Sequence, residues 1–290
     1  MDRSKYCGCK GIRSCRLCEE KYNLKENQEL TTKWIKNLKS YVYCMYCNKA
    51  YLGSNENEYL NHPNHTETKF YKTSGIHVLL DFISDDEESY LIKYLDSLPW
   101  NMSQSGRRKQ NFGPNCNFKK RKLKIGSFHG FPIGTKFIQD RFNSVPLLQN
   151  YKTIEQCTLE YDPNRGASID PHIDDCWIWG ERIVTVNLLS DTVLILTKYK
   201  GDKKRYNLNL APEISNEIDD VAIRISMPRK SLIVLYDDAR YNWEHSILRE
   251  DIQFRRVCLA YREFTLPYLP GGNNESEGKH ILEIAKTFWE

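Results

Sequence analysis

The stretch DPHIDDCWIW at 170–179 holds a histidine, three aspartates and two tryptophans in ten residues. Side chains two apart on an extended strand project to the same side, so His172 and Asp174 point together. An imidazole and a carboxylate so placed suit a divalent metal. They equally suit a polar turn or a buried salt-bridge knot. A second histidine, His245, lies in DDARYNWEHSI at 237–247. The local pattern predicts a strand with Trp243 and His245 on one side. Two histidines and one carboxylate with open positions form the facial set of non-haem Fe(II) oxygenases. The third feature is RRVCLAYR at 255–262. Arg256 and Arg262 share a strand face with Cys258 and Ala260, roughly 20 Å apart. A guanidinium on such a face is costly unless paired. Its planar fork suits a carboxylate, and an internal ion pair from Arg256 to Asp170 or Asp175 serves that need as well.

Two cysteine groups have the chemistry of metal ligands. Cys7, Cys9, Cys15 and Cys18 follow C-x-C-x5-C-x2-C. Four thiols so close fit a tetrahedral zinc site; an iron–sulfur cluster or an unstructured tail are the other readings. Cys44-x2-Cys47 followed by His62-x2-His65 resembles a small zinc finger, with a histidine spacing shorter than the usual three to five. Cys116, Cys157, Cys176 and Cys258 are scattered and read as packing residues. The first eleven residues, MDRSKYCGCKG, hold no apolar export segment, and no run approaches 18 apolar residues. No secretory signal and no membrane contact are expected, so the ten cysteines should be thiols or ligands.

Residues 103–124 carry eight basic side chains and no acidic one. Arg107, Arg108 and Lys109, with Phe112 and Phe118 between the charges, suit a nucleic-acid backbone. KKRKLK at 119–124 also reads as a nuclear-import patch, or as edge lysines that block aggregation. The net charge of the whole chain is only +4, which makes no nucleic-acid argument by itself.

These residues need a scaffold. The 18 Tyr, 11 Phe and 6 Trp in 290 residues favour a β-rich core. HVLLDFI at 77–83 predicts a strand. Residues 84–98 predict a helix, with Ser84 and Glu87 at capping-box spacing and Leu91, Tyr94, Leu95 and Leu98 on one face. A second helix is expected near 135–142. From 155 to 265 the apolar runs are short: CTLEY, RIVTVNLL, VLIL, VAIRIS, SLIVLY and RRVCLAYREF. Strands without intervening helices imply a sandwich, barrel or jelly roll. The weakly patterned 196–222 reads as an insertion, and HILEIAKTFWE at 280–290 as an amphipathic helix docked on the core.

The order H-x-D, H, R, then R six later resembles the AlkB family of Fe(II)- and 2-oxoglutarate-dependent dioxygenases, over residues 75–265. CGCKGIRSC near the start, SQSGRRKQNFGPN at 103–115, DPHIDDCWIWGER at 170–182 and ARYNWEH at 239–245 are most similar to its homologue-four branch. The resemblance implies an α+β, mainly β fold: a double-stranded β-helix (jelly roll) core with flanking helices and a Cys-rich N-terminal segment. Residues 1–70 form that zinc-binding region, 71–270 the dioxygenase domain with the basic stretch 103–124 as a substrate lid, and 271–290 a helix on the core. The resemblance also implies His172, Asp174 and His245 as iron ligands. Arg256 and Tyr161 would bind the distal carboxylate of 2-oxoglutarate. Arg262 would orient Asp174 or the substrate edge. Arg107, Arg108, Lys109, Phe112, Trp177 and Tyr241 would meet substrate. Asp170 and Asp175 flank the ligands, as second partners or as turn caps. The bacterial founder carries asparagines where this chain has Leu159 and Cys258.

The implied activity oxidises an N-methyl group with Fe(II), 2-oxoglutarate and O2 and releases formaldehyde, succinate and CO2. The implied substrates are methyl-lysine in actin, with actomyosin as partner, and N6-methyladenine in DNA, in cytoplasm and nucleus. The low net charge favours the protein substrate. A non-catalytic scaffold binding zinc and nucleic acid is the competing reading. A hydrolytic use of the same ligands gives Arg256 no role.

Overall fold

The computed structural model describes residues 3–24, 27–212 and 220–290. It is a strand-rich mixed α/β structure organised around two seven-stranded sheets. Eight strands from the region of short apolar runs are numbered in chain order. They are β1 Glu155–Tyr161, β2 Ile169–His172, β3 Trp179–Leu188, β4 Thr192–Lys198, β5 Val221–Met227, β6 Leu232–Leu235, β7 Trp243–Ile247 and β8 Arg256–Phe264. One sheet runs β2-β7-β4-β5 and continues through Lys39–Cys44, Lys49–Leu52 and Phe70–Lys72. The other runs Ile76–Leu79, β6, β3, β8, β1, Arg108–Phe112 and Asn101–Met102. Apart from β4 and β5, which pair within one sheet, strands adjacent in sequence alternate between sheets, and β2 meets β7 although 70 residues separate them.

β8 shows why its sequence reads as continuously apolar. Val257, Leu259 and Tyr261 face outwards into a core with Leu91 and Leu95 of helix Asp85–Ser97, Ile138 of helix Lys136–Arg141, and Phe142. Arg256, Cys258, Ala260 and Arg262 face the space between the sheets. There they meet Leu194 of β4, Ile233 and Leu235 of the strand beside β3, and Met227 of β5. Period two thus places both arginines on the inner face, as parity requires.

Helix Asp85–Ser97 starts as its sequence indicates: Ser84 Oγ accepts from Glu87 N at 3.1 Å, and Glu87 Oε2 accepts from Ser84 N at 2.8 Å. Two expected elements differ. The strand expected at 77–83 covers only Ile76–Leu79. Asp81 adopts a φ of 49°, which ends the strand, and Phe82 and Ile83 turn into the helix-lined core. The C-terminal helix spans Glu275–Ile284, earlier than 280–290. Phe288–Trp289 instead pairs with Phe131–Pro132, because both aromatics find ring partners there: Phe131 at 5.8 Å and His129 at 5.3 Å. Between Lys198 and Val221 the described chain makes two 3-10 turns, Lys203–Tyr206 and Leu208–Leu210. The rest of that expected insertion, 213–219, lies outside the described residues. No helix among them is long and apolar enough to cross a membrane.

Candidate active site

His172 ends β2 and His245 lies within β7, and the two are cross-strand partners with ring centroids 4.2 Å apart. His172 Nδ1 donates to the Asp170 carbonyl at 2.9 Å, which leaves Nε2 with the lone pair. Asp174 follows β2 by two residues and lines the same pocket. Its Oδ1 accepts from Arg262 Nε at 3.1 Å and Nη2 at 2.9 Å. Its Oδ2 is buried with no protein donor. Arg262 is shared: Nη1 donates to Glu155 Oε2 at 2.6 Å. The loop after Asp174 is held by Arg240, whose guanidinium donates to the carbonyls of Asp174 (2.8 Å), Trp179 (2.9 Å) and Gly180 (3.0 Å).

The charges follow from these contacts. Burial tends to raise the Asp174 carboxyl, but Arg262 and then His245 and His172 outweigh it and hold it well below the usual carboxylate range. Burial pushes the His245 imidazole down to about 3, and neighbouring His172 adds to that. Burial lowers His172 as well, against the pull of Asp174. Two neutral imidazoles and one carboxylate are the forms in which these groups ligate metal.

Arg256 is fully buried. Its Nε donates to Asn187 Oδ1 at 2.6 Å, and its guanidinium lies 4.7 Å from the ring of its cross-strand partner Tyr161. Nη1 and Nη2 have no protein acceptor. The internal ion pair that sequence left open is absent from the described residues. Asp170 takes Arg13 instead, at 3.2 Å, and Asp175 accepts from the Trp177 amide and Asn207, as a turn cap does. A buried cation that lines a pocket with both of its terminal nitrogens unpartnered needs an anion.

No family model matches the chain. The human protein alpha-ketoglutarate-dependent dioxygenase alkB homolog 4 is 37% identical over 97% of this chain and 94% of its own length. The mouse protein of the same name is 36% identical over the same shares. This chain belongs to the AlkB family, in its homolog 4 branch. A DNA N6-methyl adenine demethylase of Caenorhabditis elegans is 31% identical, covering 96% of this chain and 94% of that protein. The solved structure of OsALKBH1 overlays at a TM-score of 0.45 and 11% identity, covering 67% of this chain and 98% of that one.

As an AlkB protein the chain is a 2-oxoglutarate-dependent dioxygenase, and the family implies Fe(II), 2-oxoglutarate and O2. The donor types that line the pocket suit both groups. Asp174 Oδ2 and the two imidazoles offer three ligand atoms, and the bare Nη1 and Nη2 of Arg256 offer a fork for a carboxylate. Leu159 and Cys258 line the same wall.

None of the six substrate contacts expected in this AlkB chain lines that pocket. Arg107 comes near, 5.9 Å from the ring of Tyr161. Arg108 is bound to Glu160, together with Arg165 and Arg255, in an ion network. Lys109 is exposed, and Phe112 packs on Trp289 at 5.8 Å. Tyr241 is buried with Ile173 and Cys176. Trp177 and Trp179 are buried, and Trp179 lies 5.5 Å from the Arg262 guanidinium. The basic stretch forms strand Arg108–Phe112 and a hairpin of Asn115–Asn117 with Lys122–Lys124. Half-exposed Phe118 in the hairpin tip reaches Trp177 at 6.5 Å and Trp179 at 6.3 Å.

Sequence reasoning missed Asn187, Glu155 and Arg240. Asn187 had a signal, a lone amide inside RIVTVNLL. Its Nδ2 donates to the carbonyls of Ser190 and Met227, which fixes the oxygen towards Arg256. Arg240 had none, because its acceptors, three backbone carbonyls and the Cys176 sulfur, are some 60 or more residues away.

The four N-terminal cysteines are fully buried, and their sulfurs lie within 4.8 Å of one another. Cys15 and Cys18 Sγ are 3.8 Å apart, the edge expected of a zinc tetrahedron with Zn–S of about 2.3 Å. Cys44, Cys47, His62 and His65 also converge within 4.8 Å.

Proposed function

We propose that the chain is an oxidative N-demethylase whose iron is held by His172, Asp174 and His245. Its 2-oxoglutarate is anchored by Arg256 and Tyr161. When bound, iron, 2-oxoglutarate and O2 would supply the oxidation: one oxygen atom of O2 would end in succinate as the co-substrate loses CO2, and the other in an N-hydroxymethyl group, which departs as formaldehyde and leaves the N–H behind. The chain does the rest. Arg262 keeps Asp174 charged and aimed, Asn187 fixes the Arg256 fork, and Arg240 holds the Asp174 loop in register. The observation that carries this reading is the buried Arg256 guanidinium with two unpartnered nitrogens beside a His-Asp-His cluster.

The eight strands β1–β8 read as a double-stranded β-helix, supported by the sheet orders β2-β7-β4-β5 and β6-β3-β8-β1. Residues 71–270 are then the dioxygenase unit, 1–70 a zinc-binding region with Cys7, Cys9, Cys15 and Cys18 as one ligand set, and 271–290 a support of the core. N6-methyladenine in DNA is the substrate favoured by the lysine-rich hairpin 115–124, by Phe118 beside Trp177, and by the name of the nematode relative. Methyl-lysine in actin, with actomyosin as partner, rests on the family resemblance and the low net charge. KKRKLK supports nuclear as well as cytoplasmic residence.

Anaerobic addition of Fe(II) and then 2-oxoglutarate should give a weak visible charge-transfer band, which His172→Ala abolishes. Formaldehyde and succinate should then form from N6-methyladenine DNA or methylated actin, and Asp174→Ala should stop both. Nucleic-acid binding without products on either substrate would leave the scaffold reading instead.

A further inference from the structure

We propose that Cys44, Cys47, His62 and His65 form a second zinc site, separate from the dioxygenase pocket. It would lock the N-terminal hairpin that extends the β2-β7-β4-β5 sheet. The histidine spacing argues against this in one dimension. The fold supplies what spacing lacks: Cys44 ends strand Lys39–Cys44, Cys47 sits in the turn to Lys49–Leu52, and the 3-10 helix Glu58–Asn61 returns both histidines to that turn. One ligand atom of each residue lies within 4.8 Å of all the others. Cys47 Sγ is 3.5 Å from His65 Nε2, against roughly 3.6 Å for the S···N edge of a tetrahedron with Zn–S near 2.3 Å and Zn–N near 2.1 Å.

A second observation points the same way. The other ring nitrogen of His65, Nδ1, faces Glu58 Oε1 at 3.4 Å. Glu58 is buried and further held by the Thr66 amide and hydroxyl, both at 3.2 Å, and by Asn61 at 2.9 Å. A carboxylate behind the distal nitrogen of a histidine is the outer support that zinc-bound imidazoles use. Tyr51 stacks on the His65 ring at 3.8 Å, which sets its plane. The chain between Leu52 and Phe70 is otherwise poorly provided. Its apolar core is Cys44, Tyr51 and Tyr59, while Leu52, Leu60 and Phe70 are exposed. A long loop with so little apolar burial needs a staple. Two thiolates and two imidazoles select zinc among the common divalent ions.

The test uses the full chain, stripped of metal and titrated with Co(II). His172, Asp174 and His245 include no thiolate, and a Cys258→Ser background removes the thiol on that pocket's wall, so thiolate-to-cobalt absorption then reports only the cysteine sites. In Cys9→Ser/Cys15→Ser protein with native circular dichroism, one equivalent of thiolate-bound cobalt should remain, displaced by Zn(II). Adding Cys44→Ser/Cys47→Ser should remove it. On the wild-type background, Glu58→Gln should weaken this site about 10- to 100-fold. His62→Ala, which changes an exposed side chain, should also weaken it without unfolding the chain. Folded Cys9→Ser/Cys15→Ser protein without thiolate absorption would overturn the proposal. So would unchanged cobalt affinities in both His62→Ala and Glu58→Gln, the readout that decides if the double-serine protein does not fold.

Discussion

Arg262 and Arg256 sit six residues apart on one strand face and do opposite things. Arg262 is satisfied by two carboxylates, Asp174 and Glu155, while the Nη1 and Nη2 of Arg256 have no protein acceptor. Removing the first leaves two buried anions unpaired. Arg262→Met should cost about 3–5 kcal/mol in chemical denaturation and abolish Fe(II) binding. Removing the support of the second should act on the co-substrate. Asn187→Ala leaves the Arg256 Nε without its acceptor, a desolvation loss of about 1–3 kcal/mol. It should raise the 2-oxoglutarate KM more than it lowers kcat, because the fork loses its aim and the iron ligands are untouched. Equal falls in kcat and in stability without a change in KM would show that Asn187 only packs.

At the scale of elements, Glu160 ties β1 to its neighbours. It receives Arg108 from the adjoining strand Arg108–Phe112, Arg165 from the turn after β1, and Arg255 from the residue just before β8. Burial tends to raise its carboxyl, but these three arginines outweigh that and hold it at about 2. A depressed carboxylate contributes stability that is complete above its ordinary value of 4.5 and is lost as pH falls through about 2. Thermal stability should therefore drop between pH 4.5 and 2, and Glu160→Gln should flatten that part of the curve while lowering stability at pH 7. Helix Asp85–Ser97, which covers the outer face of β8, depends on its capping box. Ser84→Ala should cost about 1 kcal/mol, read from urea midpoints at constant slope.

Across the whole molecule, the N-terminal cysteine module docks on the rim of the dioxygenase pocket. Glu19 pairs with Arg249 at 2.9 Å, Arg16 donates to the Pro163 carbonyl at 3.0 Å, and Arg13 reaches both Asp170 and Gln104. Gly8 is required at this contact: it has a φ of 76°, and a Cβ would lie 2.7 Å from the Ser103 carbonyl oxygen. Arg249→Ala should thus expose residues 3–24 to limited proteolysis before the sheets unfold. Equal cleavage of variant and wild type would mean that the module is held by its other contacts. Asp170 lies two residues before His172, so the same substitution also tests whether the module steadies the strand that carries a proposed iron ligand.

Local chemistry was legible in the sequence wherever it was periodic. Strand parity placed Arg256 and Arg262 on one face, the capping box set the start of helix Asp85–Ser97, and C-x-C-x5-C-x2-C marked a ligand cluster. These follow from repeats of two or about four residues, which need no knowledge of the rest of the chain. What tertiary structure alone decided is which partner each polar group meets. Arg108 met Glu160, Asp175 capped a turn, and Arg240 closed on three carbonyls far along the chain. His62 and His65 reached Cys44 and Cys47 despite an unpromising interval. Such pairings depend on where the sheet order carries each strand, and a buried charge takes the partner that topology brings within reach.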